Sequence, residues 1–329
     1  MIARRRLLAV SLVPAGLARA RAQAPAAPET WPSRPVRILL AYPPGGSTDV
    51  LARTLAERLA ATLGGPGFVV ENRPGGAAVV GTQAAAVAAP DGYTLSLGTN
   101  QTHAANAAMV RDLPYRPVED FAPIGRLAEV HHALVVPASS AARSLAALAA
   151  RGREGGPLTY ASSGVGSASH VIAESFVRRE RLQAVHVPYR GGAQAVTDTV
   201  AGTVDFFVST WPQVVTLVQD GRLRCLGLGA PRRLAELPEV PSFAEAGAPY
   251  MAVDAWFGLW APAQTPQPII DRLSAALPRI LAEPGMTARL ATLGFLPAPL
   301  PAVEFAAFQR AEVARWRGLV ELTGIRLEG

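Results

Sequence analysis

The sequence predicts an α/β protein of two lobes, each a mostly parallel sheet flanked by helices, joined by two crossing strands. Three observations carry that expectation. Short β-prone apolar runs alternate with helix-periodic segments from Trp31 onward, the pattern of sheets covered by helices. Two extended apolar stretches, at about 124–136 and 253–261, interrupt the alternation where a chain would pass between lobes and return. Half the residues are apolar, enough over this length for two domains with good burial.

Residues 1–22 read as a targeting segment that is removed. Arg4, Arg5 and Arg6 form a charged start, residues 7–17 an apolar run, and Ala20, Arg21 and Ala22 a small-x-small cleavage site. Arg5 and Arg6 before Leu7 and Leu8 also resemble a twin-arginine signal, so export by either the Sec or the Tat route stays open. Residues 23–30, rich in Pro and Ala, are expected to be a disordered lead. Five of the 31 basic residues lie in the first 22, which leaves 26 bases against 25 acids in the mature chain. The formal charge of +6 is therefore largely the signal's, and nothing after Arg21 forms the basic, aromatic-interleaved run of a nucleic-acid partner. Cys225 is the only cysteine, so no intrachain disulfide forms in an oxidising compartment.

The first lobe is expected to hold residues 31–128 and 255–329, and the second 129–254. In the first, strands fall at 36–41, 68–71 and 94–98, with helices after Gly46 (Leu51, Leu55, Leu59 and Leu63 four apart, Gly64 as terminator) and at 81–89. In the second, strands at 158–161, 185–189, 204–208 and 224–229 alternate with helices ending near Glu180 and Gly202. Thr265 and Pro266 read as N-cap and first residue of a helix through Ile269, Ile270, Leu273, Leu277 and Ile280. A closing helix carries Phe305, Phe308, Val313, Trp316 and Val320.

Three loops share one geometry: AYPPGGSTD at 41–49, ASSGVGSASH at 161–170 and PYRGGAQ at 188–194. Each joins the carboxyl end of a strand to a helix N-terminus, where glycine lets the backbone turn N–H groups outward and the helix dipole favours an anion. In such sheets ligands gather at the strands' carboxyl ends. Enzyme signatures are missing: neither Ser163 nor Ser167 sits in Gly-x-Ser-x-Gly, GVGSAS lacks the last glycine of a dinucleotide fingerprint, and His131 and His132, adjacent on a strand, point apart.

At these loops the sequence resembles the Bug-type receptors of tripartite tricarboxylate transporters. The likeness spans the mature chain, through WPSRPVRILLAYPPGGSTDVLAR (31–53), VVENRPGG (69–76), APDGYTL (89–95), YASSGVGSASH (160–170), VHVPYRGGAQAVTD (185–198), LPEVPSFAEAGAP (237–249) and WFGLWAPAQTP (256–266). It implies a periplasmic binding protein of the type II-like two-lobed fold, without cofactor or metal, that captures a small carboxylate and meets membrane permease subunits. A monomer is expected. A receptor that feeds a sensor kinase and a Ser/His hydrolase are the alternatives.

By the resemblance, the carboxylate is held by Gly45, Gly46, Ser47, Thr48 and Asp49 in the first loop. The second lobe is expected to add Ser162, Ser163, Gly166, Ser167 and His170. Asn100, Tyr189, Arg190, Gly191 and Asp205 complete the candidate set. The chain departs from the family pattern at Val79, at Asn106-Ala107, and at Ser209, Thr210 and Trp211, where an Asp or Asn is often found. These departures leave the particular carboxylate open. The intact mass of the exported protein is expected to start near Gln23; a mass retaining residues 1–22 would contradict the cleavage assignment.

Overall fold

The computed structural model describes residues 31–327, apart from Gly46, Arg190 and residues 235–236; of Ser47 only the backbone is described. The segments expected to be signal and lead lie outside the described residues. In strand β1 (Val36–Leu40), Val36, Ile38 and Leu40 enter one apolar cluster and Leu39 another, so the sheet is buried on both faces. Helix α1 (Ser47–Leu63) packs Leu51, Leu55 and Leu59 onto the first of these clusters. It ends where Gly64 adopts φ +70 and donates its N–H to Ala60 O at 3.0 Å. Strand β2 (Phe68–Asn72), helix α2 (Val79–Ala86) and strand β3 (Thr94–Thr99) complete a parallel unit.

A π-helical turn (Gln101–Ala105) and α3 (Asn106–Met109) lead to β4 (Phe121–Val130). Only His131 then separates β4 from β5 (His132–Pro137), which belongs to the second sheet. That sheet is built from β6 (Leu158–Ser162), β7 (Ala184–Pro188), β8 (Phe206–Thr210) and β9 (Leu223–Leu228) around β5, in the order β7-β6-β8-β5-β9. Its helices are α4 (Leu145–Glu154), α5 (Ala168–Arg179), α6 (Gly192–Ala201) and α7 (Trp211–Gln219). The chain returns as β10 (Ala255–Pro262), followed by α8 (Gln267–Ala282), α9 (Pro284–Thr292), β11 (Leu296–Pro301) and α10 (Ala302–Thr323). The first sheet runs β11-β4-β10-β3-β1-β2.

Both sheets are mixed. Pairing is parallel among β2, β1 and β3 and among β7, β6 and β8, where helices make the crossovers. It is antiparallel wherever β4, β5 or β10 takes part, because these strands carry the chain out of one sheet and back. On β10, Trp256 and Trp260 face one cluster while Phe257 and Leu259 face the other. Between the two tryptophans a Cβ at Gly258 would come within 2.3 Å of the Phe305 ring, so glycine is what admits the ring of α10.

Several expectations move. Pro266, not Thr265, is the N-cap of α8, and Thr265 Oγ1 donates to Pro262 O at 2.8 Å. Strand β8 starts two residues later than the apolar run suggests, at Phe206, and extends through Ser209 and Thr210. The proline-rich β11 was not anticipated; it pairs on one side only, where missing N–H groups are tolerated.

Leu273, fully buried where α8 packs on the first sheet, tests the core. Leu273→Ala is expected to destabilise the fold by about 2–5 kcal/mol in urea unfolding while ligand affinity of the folded protein stays unchanged.

Candidate functional site

The first loop is organised by one carboxylate. Asp49 accepts the Gly45 N–H at 3.0 Å, two bonds from Arg53 at 3.0 and 2.9 Å, and one from Asn72 Nδ2 at 2.9 Å. Asn72 also donates to Tyr42 O at 3.0 Å, which ties β2 to the same turn. These donors outweigh burial and hold the carboxyl down at about 2, the Arg53 hydrogen bond being the largest cause. Asp49 is thus fully engaged within the chain, and the Gly45 N–H is not free for an anion.

The second-lobe loop satisfies itself in the same way. Ser167 caps α5, accepting the His170 N–H at 3.3 Å and donating to Gly164 O at 2.7 Å. His170 Nδ1 accepts the Gly166 N–H at 3.1 Å, and its ring stacks on His186 with centroids 3.8 Å apart. Burial, with His186 beside it, takes His170 down to about 4, so it is neutral at pH 7 and no cation for an acid. Ser162 Oγ lies 2.7 Å from His186 Nε2, which looks like a nucleophile and base. The hydroxyl is wholly buried, however, and already accepts the Gly164 N–H at 3.2 Å, so no substrate can meet it.

Between the sheets lies a cleft of about 150 Å³. The first lobe contributes Tyr42, Thr48, Thr99 and Gln101; the second contributes Ser163, Ala168, Ser169, Ser209, Thr210 and Gln213; His132, Ala255 and Phe257 form its base at the crossings. Tyr42 Oη and Thr99 Oγ1 are 2.6 Å apart. Gln101 opens the π-helical turn, which is anchored by His103, buried and stacked on Trp260 at 3.6 Å; burial lowers His103 to about 3. Ser163 Oγ and Ser169 Oγ are 3.0 Å apart. Gln213 lies against Gly192, where a Cβ would fall 2.1 Å from its Oε1, so glycine at the start of α6 makes room for that amide. The cleft therefore meets the N-terminal ends of α1 (Thr48), α5 (Ala168, Ser169) and α7 (Thr210, Gln213). No Arg, Asp or Glu is among its described lining residues.

A larger groove of about 550 Å³ lies beyond the crossing strands, between α7 and the α9–β11 region. His131 lines it while His132 lines the cleft, as neighbouring residues of an extended strand must. Its lining is mostly apolar, and no described residue of the three glycine loops is among it. The smaller cleft, where helix N-termini converge, is the better candidate for an anion.

Of the sequence-derived candidates, Thr48 and Ser163 line this cleft. Asp205 does not: it precedes β8, at the opposite end from Ser209 and Thr210, and binds Arg151 at 2.6 Å and the Thr159 N–H at 2.7 Å. Its place at the amino end of the strand, away from the carboxyl end that meets the cleft, is the reason. Tyr189 donates to Asp198 at 2.7 Å, fastening its loop to α6, and burial with that acidic partner raises it to about 12. Asn100 is buried, with Nδ2 3.5 Å from Asp254 O, and Gly191 precedes α6 at φ 143. Gly46, Arg190 and the Ser47 side chain lie outside the described residues. Tyr42, Thr99, Gln101, His132, Ser169 and Gln213 were missed. Tyr42 and Ser169 stand inside the 41–49 and 161–170 loops, and the strand end before the π-helical turn could have signalled Thr99; Gln101, His132 and Gln213 reach the cleft through tertiary packing.

Two mixed sheets that open on a shared cleft have the architecture of a two-lobed binding protein. The model of the tripartite tricarboxylate transporter family receptor matches residues 51–325. The protein BugT of Bordetella pertussis is 34% identical over 325 residues, 98% of this chain and 99% of that one. The structure of R. palustris Rpa4515 with adipate aligns with a TM-score of 0.80 at 31% identity, covering 91% of this chain and 100% of that one. MatC from Rhodopseudomonas palustris with bound malate aligns at 0.75 and 32%, covering 88% and 100%. The chain belongs to the tripartite tricarboxylate transporter receptor family, a family of receptors and not of enzymes. No described helix is long and apolar enough to cross a membrane.

Because the carboxyl of Asp49 titrates lower when folded, the stability it lends is present above about pH 4 and is lost as pH falls toward 2. The difference is on the order of 2 kcal/mol, less what solvent removes at the half-exposed Arg53. Urea midpoints of the wild type and Asp49→Asn are expected to differ at pH 7 and to converge between pH 4 and 2.

Proposed function

We propose that this protein is an exported receptor that captures a small carboxylate between its lobes and presents it to the permease subunits of a tripartite tricarboxylate transporter. The observation that carries the reading is the convergence of the N-terminal ends of α1, α5 and α7, from both lobes, on one cleft rimmed by hydroxyls and amides. Such ends supply positive potential and N–H donors without a cationic side chain. The relatives solved with adipate and with malate support a carboxylate as the cargo. The cleft's modest volume, below the several hundred Å³ typical of larger ligands, favours a small acid.

Magnitudes require both lobes. A helix terminus contributes about 0.3–1 kcal/mol when exposed and up to about 2 when partly buried. Micromolar affinity needs about 8 kcal/mol. Bonds from the two lobes in a drier, closed cleft together reach it. Of the loop serines, Ser163 touches the cleft and Ser167 is a helix cap, so their roles separate.

In a thermal-shift screen, a dicarboxylate, tricarboxylate or aromatic acid at 100 times its Kd is expected to stabilise the protein by about 2.7 kcal/mol. Sugars and cationic amino acids are expected to do nothing; a response to them alone would overturn the reading. Ser163→Ala is expected to weaken binding by roughly 1.5–3 kcal/mol with little effect on the free protein. Ser167→Ala is expected to cost about 1 kcal/mol of stability.

A further inference from the structure

His132 stands at the base of the cleft as the first residue of β5, paired with Thr210 and almost fully buried. Its Nδ1 lies 2.8 Å from Val253 O on the returning crossing. A carbonyl oxygen can only accept, so Nδ1 carries the proton. Burial lowers the imidazole below its ordinary range, and the ring is neutral at pH 7. A neutral imidazole with its proton on Nδ1 has a bare lone pair on Nε2, which is an acceptor and cannot donate. No described residue provides a partner for that nitrogen, and His132 is among the residues that line the cleft.

This sets His132 apart from the rest of the lining. The hydroxyls of Tyr42, Thr48, Thr99, Ser163, Ser169 and Ser209 can donate or accept, and the amides of Gln101 and Gln213 offer both kinds of atom. A carboxylate oxygen placed against His132 Nε2 would set lone pair against lone pair. A methylene there would leave a buried acceptor unpaired. The ligand atom that meets it must bring a proton. An ammonium could, but no acidic side chain is among the described lining residues. Asp49 is fully engaged by Gly45, Arg53 and Asn72, and Asp254 is bonded to His131 at 2.9 Å. An unpaired buried cation is costly. A hydroxyl satisfies Nε2 without charge.

We propose that His132 is a specificity-determining residue whose Nε2 accepts a hydrogen bond from a ligand hydroxyl, so that the receptor selects hydroxylated carboxylates over their unsubstituted and amino counterparts. The inference rests on the carboxylate reading above and names the subclass.

The test is isothermal titration of the wild-type protein at pH 7.5 with matched sets: malate, succinate and aspartate, then lactate, propionate and alanine. The hydroxy acid of the set that fits is expected to bind at least about tenfold more tightly than either counterpart. His132→Asn places an amide N–H where Nδ1 stands, able to keep the bond to Val253 O, and removes the acceptor at Nε2. In that variant the hydroxy acid is expected to weaken about tenfold while the unsubstituted acid does not weaken, so the preference disappears. Equal binding of malate and succinate by the wild type, a preference for aspartate, or equal loss of both acids in the variant would each overturn the assignment. If no carboxylate of any kind binds, the carboxylate reading itself fails and the hydroxyl assignment falls with it.

Discussion

The arrangement of the molecule depends on a seam where two strands pass between the sheets. β4 and β5 are separated only by His131, and the chain returns through Val253 and Asp254 into β10. Side chains lace the two crossings together: His131 to Asp254 at 2.9 Å and His132 to Val253 O at 2.8 Å. Backbone bonds fix the first crossing to the second sheet, with Gly229 N–H to His132 O at 2.7 Å and Trp211 N–H to His131 O at 2.8 Å. Because the carboxyl ends of β1 and β3 on one side and β6 and β8 on the other open toward this seam, α1, α5 and α7 start around one cleft. A second tie is apolar: one cluster runs from Leu134, Ile172 and Phe176 of the second lobe to Trp256, Trp316 and Val320 of the first. The helix α10 thereby rests on both lobes.

Much of the fold was legible because burial on both sheet faces writes itself into unbroken apolar runs. Val36, Ile38 and Leu40 with Leu39 between them, and Leu51, Leu55 and Leu59 four apart, leave one plausible arrangement each. The mixed character of the sheets was harder to see. Strand direction is a property of the pairing partner, and nothing in the composition of β4 or β10 distinguishes a crossing strand that pairs antiparallel from one that does not. Strand ends were the weakest point: in the run from Val204 to Thr210 the apolar residues permit a shift, and the two-residue difference brings Ser209 and Thr210 into the strand at its cleft end, while Asp205 stands at the opposite end in either register.

The site loops could be located from glycine, serine and the following helical period, but the loops do not reveal which of their atoms are free. Gly45, Ser163, Gly164 and Gly166 all have N–H groups, and all four are taken by Asp49, Ser169, Ser162 and His170. Sequence reasoning treats such groups as outward donors; packing turns them inward because a tight turn must satisfy its own backbone. The donors left over are what remains of the first helical turns once Ser167 has taken the His170 N–H and His131 O the Trp211 N–H. Tyr42, Gln101 and Gln213 reach the cleft from three separate elements, and no spacing along the chain brings them together.

Among its described lining residues the cleft offers dipoles rather than cations, which suits a receptor that must let go. An arginine fixed against a carboxylate would form a charge-assisted pair that persists as long as one lobe holds it. Helix ends, hydroxyls and amides divided between two lobes behave differently, since each bond is weak alone and gains strength only when the other lobe excludes water. Affinity then depends on the distance between lobes, and a partner that draws them apart lowers it without displacing any single residue. The position of His132 sharpens that dependence. The same ring that lines the cleft bonds the returning crossing, so a shift of β5 relative to Val253 changes where its free nitrogen points. On the proposed reading, recognition of the cargo and the geometry of the seam share one side chain.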